Sequence, residues 1–75
     1  LHGLVWVVMI TNAANRGRPD DVAIKDLAMA GLPVPSVIRT AKIATIDCAA
    51  ATRIGAVSKA VLAQVIKRVE NWLAP

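Results

Sequence analysis

The chain has no phenylalanine and no tyrosine, one cysteine, one histidine and only five acidic residues among 75. Each scarcity excludes something. A lone Cys48 rules out an internal disulfide, and one Cys with one His cannot complete a zinc motif; no motif in the sequence calls for a cofactor. Without Phe or Tyr, stacking of nucleic-acid bases would rest on Trp6 and Trp72 alone. A membrane span needs ~20 apolar residues. The most apolar run here, from Leu4, stops at Thr11, so no membrane partner is expected. A secretory leader needs a basic start and a small-residue cleavage site. His2 is the only candidate charge before Arg16, which makes a reducing cytoplasm the expected location.

Apolar residues are plentiful, at 56% of the chain, although fourteen of them are alanine. That composition excludes a disordered chain. A domain of this size hides only ~60% of the surface its unfolded form exposes. The apolar surplus therefore implies a partner, a second copy, or a further piece of the same domain. The chain opens at Leu1 rather than methionine and enters its apolar run with no turn or cap. The expectation is one domain over 1–75, cut at its N-terminus from a longer protein. The net charge of +4 favours polyanions mildly.

Leu4 to Thr11 is a continuous β-branched run and predicts a strand covered on both faces. Asn12 to Asp21 is a loop punctuated by Gly17 and Pro19. Asp21 to Lys25 alternates, with Val22 and Ile24 on one face, and predicts a short strand suited to an edge. Leu27 to Gly31 predicts a brief turn or helical fragment, and Leu32 to Pro35 must be extended. Ser36 to Asp47 is the longest strand candidate. Ile38 and Ile46 share one parity while Val37 and Ile43 share the other, so either a bulge or bend between Arg39 and Ile43 reconciles them or both faces are covered. Cys48 to Ala51 turns the chain, and Thr52 to Val57 predicts a last short strand. Ser58 is a good N-cap for a helix running to Ala74. Its broad apolar face comprises Val61, Leu62, Val65, Ile66, Val69, Trp72 and Leu73. Several strands and then a terminal helix predict a mainly β fold, a small and partly open antiparallel barrel with the helix packed on it.

Four segments carry a resemblance. Val7-Val8-Met9-Ile10-Thr11-Asn12 resembles the central strand of the MazF/PemK/Kid toxins of type II toxin–antitoxin systems. Ala30-Gly31-Leu32-Pro33 and Pro35-Ser36-Val37-Ile38-Arg39-Thr40 resemble their Gly-Leu, Val-Val-Arg segment. Ile43-Ala44-Thr45-Ile46-Asp47 is similar to their Ile-x-Thr-Ile-Asp strand, and Arg53 to Ser58 with the following helix to their ending. The ordered set spans nearly the whole chain. It implies an SH3-like or CcdB-like barrel, a homodimer, an antitoxin partner, and metal-independent, sequence-selective cleavage of single-stranded RNA that stops translation. It also implies that further strands and a second active-site arginine precede Leu1, so that these residues alone cleave poorly.

Such cleavage requires deprotonation of a 2′-hydroxyl, stabilisation of the charge on a crowded phosphorus, and protonation of the leaving oxygen. An arginine suits the second task because its planar fork meets phosphate oxygens in pairs. The resemblance gives Thr11 the hydroxyl that contacts the scissile phosphate; by itself it is a strand-end threonine bonding to local backbone. Arg39 matches the arginine that stands two residues before a catalytic aspartate in the Kid-like branch. The aspartate position reads Ala41 here, so that carboxylate is missing. Asn12 is either a base or phosphate contact or a plain turn residue. Arg16 and Arg18 are either phosphate contacts or a solvated turn partly neutralised by Asp20 and Asp21. Lys42 is either a phosphate contact or a solvated strand charge. His2 lies outside any matched motif, Cys48 reads as a small core residue, and Lys67 and Arg68 as the solvent face of the helix. Two alternatives belong to other classes. One is a CcdB-like topoisomerase poison that would bind through the terminal helix and Trp72. The other is a catalytically inactive relative kept for dimerisation or antitoxin binding.

Overall fold

A computed structural model describes residues 3–15 and 17–74. Leu1, His2, Arg16 and Pro75 lie outside the described residues, so the expectations for His2 and Arg16 are not addressed by it. The chain forms β1 (Leu4–Asn12), β2 (Asp21–Ile24), the one-turn helix α1 (Leu27–Ala30), β3 (Ser36–Asp47), a 3-10 turn (Cys48–Ala50) and α2 (Lys59–Leu73). The strands make one open antiparallel sheet in the order β1-β3-β2, with the helix after it, which is the mainly β architecture expected.

Local chemistry sets the boundaries. Asp26 caps α1 by accepting from the Met29 N–H at 3.0 Å. Gly31 closes it in the left-handed conformation (φ 69°), which a glycine adopts without steric cost. The glycine is required twice over, because a Cβ there would strike the Ile54 carbonyl oxygen. The segment 32–35 is not extended throughout as expected: the chain bends at Pro33 and Val34 before entering β3. Ser58 caps α2 through its Oγ, which accepts from the Val61 N–H at 3.2 Å.

The mixed parity of β3 resolves as a bulge. Val8 pairs with Ile43 and Met9 with Arg39, so Thr40, Ala41 and Lys42 have no opposite number on β1. The three extra residues invert the alternation. Ile38, opposite Ile10, and Ile43, opposite Val8, both turn to the α2 side despite their opposite parity. The core is Val22, Ile24, Ala30, Ile38 and Val65, flanked by Val8, Leu27, Leu32, Val57, Val61 and Val69. Val22 and Ile24 share the buried face of β2, as the alternation predicts.

Two further expectations are corrected. β1 is not covered on both faces: Leu4 is 73% and Trp6 66% exposed. The strand stands at a sheet edge and α2 reaches only part of it. Residues 52–57 do not form a strand. They pass instead across the end of α1, where the Ala56 N–H donates to the Met29 carbonyl at 2.9 Å. Gly55 lies so close to Ala30 that a Cβ would strike its carbonyl carbon and oxygen. A helix end offers one or two carbonyls, not a ladder, so the segment gains no strand pairing. The apolar face of α2 is likewise only partly used. Val65 is buried and Val61 and Val69 are half-buried, while Leu62, Ile66, Trp72 and Leu73 are exposed.

Candidate active site

The register places the candidate residues. Across the sheet, Met9, Arg39 and Asp21 occupy one rung, and Thr11, Val37 and Ala23 the next but one. Side chains alternate along each strand. Ile38 and Val22 face α2, so these six residues stand on the opposite face. Thr11 and Arg39 are therefore on one face, diagonal neighbours at roughly 7–8 Å by strand geometry.

Arg39 is held by an acid from the neighbouring strand. Its Nη2 donates to Asp21 Oδ2 at 3.1 Å and its Nε to Oδ1 at 3.3 Å, a side-on fork. The pair is largely sealed from water, with the Arg39 side chain 10% and the Asp21 side chain 6% exposed. The Arg18 N–H donates to Asp21 Oδ2 at 2.9 Å, so both carboxylate oxygens are engaged. Hydrogen bonding from Arg39 holds the Asp21 carboxyl below the usual value near 3.8, against the opposing effect of burial and with help from the Arg18 N–H and the nearby positive charge. Next in the chain, Thr40 is fully buried on the core side, and its hydroxyl donates to the Asp20 carbonyl at 2.9 Å. The start of β2 is thus pinned to β3 from both faces of the sheet.

The remaining candidates are dispersed. Thr11 Oγ1 accepts from Asn15 Nδ2 at 2.7 Å, a bond within the turn that follows β1. Asn12 Oδ1 accepts from the Ala14 N–H at 2.8 Å and its carbonyl from the Asn15 N–H at 3.0 Å, so that oxygen serves a turn. Arg18 is exposed and takes part in the turn into β2 through its backbone. Lys42 is exposed in the bulge of β3, among Val7, Val8, Met9, Ile43 and Ala44. Ala41 beside it supplies no acid. Among the described residues, no three of His, Cys, Asp and Glu gather closely enough to hold a metal ion.

Asp21 is the residue that sequence reasoning passed over, having assigned it to the neutralisation of loop arginines. A signal for it existed. With Val22 and Ile24 on one face of β2, Asp21 must occupy the other, the face on which a strand-borne Arg39 seeks a counter-charge. As paired here, Asp21 suits orientation of a cation and not proton abstraction, because both its oxygens already accept hydrogen bonds.

A family model described as PemK-like, MazF-like toxin of type II toxin-antitoxin system matches residues 1–73. A search among curated proteins returned no match.

Proposed function

The chain belongs to the PemK-like, MazF-like toxin family of type II toxin–antitoxin systems, and from that premise we propose that it is an endoribonuclease that cuts single-stranded RNA without a metal. Family membership implies an antitoxin partner. In this reading the 2′-oxygen of the substrate attacks the adjacent phosphorus as the bond to the 5′-oxygen breaks. One proton leaves the 2′-hydroxyl and one arrives on the 5′-oxygen. The Arg39 guanidinium offsets the charge that builds on the phosphorus oxygens, and the Thr11 hydroxyl donates to one of them. Asn12, Arg16, Arg18 and Lys42 supply further contacts to the RNA. The protein acts as a homodimer in the cytoplasm; no described helix is long and apolar enough to cross a membrane.

The observation that supports this reading most is the shared face of Thr11 and Arg39, on rungs separated by one. The test is cleavage of single-stranded RNA by the protein expressed from its complete open reading frame, in EDTA. Wild-type protein should cut at selected sites. Arg39→Ala should lower the rate by about 10²–10³-fold, the usual cost of removing a donor to a developing oxyanion. Equal cutting by the two proteins would refute the assignment of Arg39.

Two observations favour a second reading, an inactive relative retained for binding the antitoxin. Ala41 carries no carboxylate, and the Arg39 side chain is committed to Asp21 and only 10% exposed. Wild-type protein that neither cuts RNA nor slows growth, yet binds its antitoxin, would support it.

A further inference from the structure

We infer that Asp21 is the positioning residue of this site, holding the Arg39 guanidinium in the orientation from which it meets phosphate. The inference rests on the nuclease reading above and adds to it a residue from a different strand. Three observations carry it. Asp21 and Arg39 share a rung of a regular antiparallel pair, so the carboxylate is placed by backbone register rather than by a flexible loop. The contact is a side-on fork using Nε and Nη2, which fixes the plane of the guanidinium as well as its position. The carboxylate is itself anchored, by the Arg18 N–H on Oδ2.

Stability does not explain the pair. A sealed ion pair is often matched or bettered by well-packed apolar residues of similar volume. The same face already accepts Met9, Val37 and Ala23 at neighbouring positions. Nor does Asp21 replace the missing acid at Ala41 as a base, since both of its oxygens are already occupied. Its contribution is to restrict Arg39. An unrestrained arginine would sample many rotamers and lose the alignment that transition-state contacts need.

The test compares four proteins expressed from the complete open reading frame on single-stranded RNA, with kcat, KM and the melting temperature measured for each. Wild type sets the reference. Asp21→Asn keeps the shape and removes the charge. It should lose about 10²-fold in kcat, the scale of a 1 Å misplacement, while KM moves little. Asp21→Glu keeps the charge and should fold like wild type, yet its longer arm should leave kcat about tenfold low. Thr40→Val removes the neighbouring tether from the opposite face of the sheet. It should lower the melting temperature and leave kcat within about twofold, because that hydroxyl bonds to the Asp20 carbonyl and not to either side chain of the pair.

Asp21→Asn or Asp21→Glu cutting at the wild-type rate or faster would overturn the inference, and faster cutting would mean that Asp21 competes with phosphate for Arg39. Loss of kcat in Thr40→Val equal to that in Asp21→Asn would also overturn it, reducing the pair to scaffolding. A wild-type protein that cuts no RNA is read in the first arm. It refutes the nuclease reading itself and removes this inference with it.

Discussion

The two halves of β3 are made of similar residues and live in different surroundings. From Ser36 to Thr40 every residue is buried except Val37, which is half-buried. From Ala41 to Asp47 every residue is exposed except Ile46, which is half-buried. Composition does not separate them, since Ile38 sits in one half and Ile43 and Ile46 in the other. Neighbours do. The first half pairs with β1 on one side and β2 on the other, and the core residues of β2 and α2 lie against it. The second half, beyond the bulge, pairs with β1 alone. Arg39 stands at the end of the enclosed half, which is why its charge requires Asp21 on the same rung.

The sharpest way to break the contrast is at Ile38. It is buried between Ile10 and Val22 on the α2 side, and truncation would leave a cavity that a small sheet cannot close. Ile38→Ala should cost about 2–5 kcal/mol. For a domain whose whole stability is about 5–15 kcal/mol, that is a large share. Urea denaturation would show it as a shift of midpoint. A change below about 1 kcal/mol would mean that the enclosed half is not the core.

A smaller effect tests the same half through pH. The Asp21 carboxyl titrates below its usual value near 3.8 because Arg39 hydrogen-bonds to its charged form. A group whose pKa is lowered by folding contributes stability that is full above the unfolded value and is lost as pH falls through the folded one. Wild type should therefore lose stability on acidification below about pH 4, near the unfolded pKa of an aspartate. Asp21→Asn should show a flatter acid limb, read as the difference in melting temperature between pH 7 and pH 3. Parallel curves for the two proteins would show that the pair does not survive in solution.

Much of this was legible from local patterns. The Ser58 cap and the apolar spacing of α2, the Val22/Ile24 alternation, the Gly31 stop and the limits of β3 each depend on a few adjacent residues. The bulge was legible too, because the parity conflict between Ile38 and Ile43 has few physical resolutions. Pairing across the sheet was not. Strand order β1-β3-β2 puts β2 beside a strand that follows it by way of α1 and the prolines, and nothing within residues 4–11 declares that β1 is an edge. The segment 52–57 has strand-like residues, yet its backbone meets a helix end. For the candidate site, Thr11 and Arg39 were nominated through the resemblance, whereas the contact of Asp21 with Arg39 needed the register, a fact about two strands at once.

The smallest effect sharpens the contrast from its open side. Leu4 pairs with Asp47 at the far end of the exposed half and is 73% exposed. A side chain already in water loses little when shortened, so Leu4→Ala should change stability by less than about 0.5 kcal/mol. In a chain of this size that is a shift of only a few degrees in melting temperature. The measurement has to be made over a range of protein concentrations. Leu4 belongs to the same exposed apolar strand as Trp6, Met9 and Ile10, and a second copy seated there would convert exposure into burial by mass action. A loss of 2 kcal/mol or more that grows with concentration would show that β1 is covered in solution. The unequal halves of β3 would then belong to the single chain and not to the assembled protein.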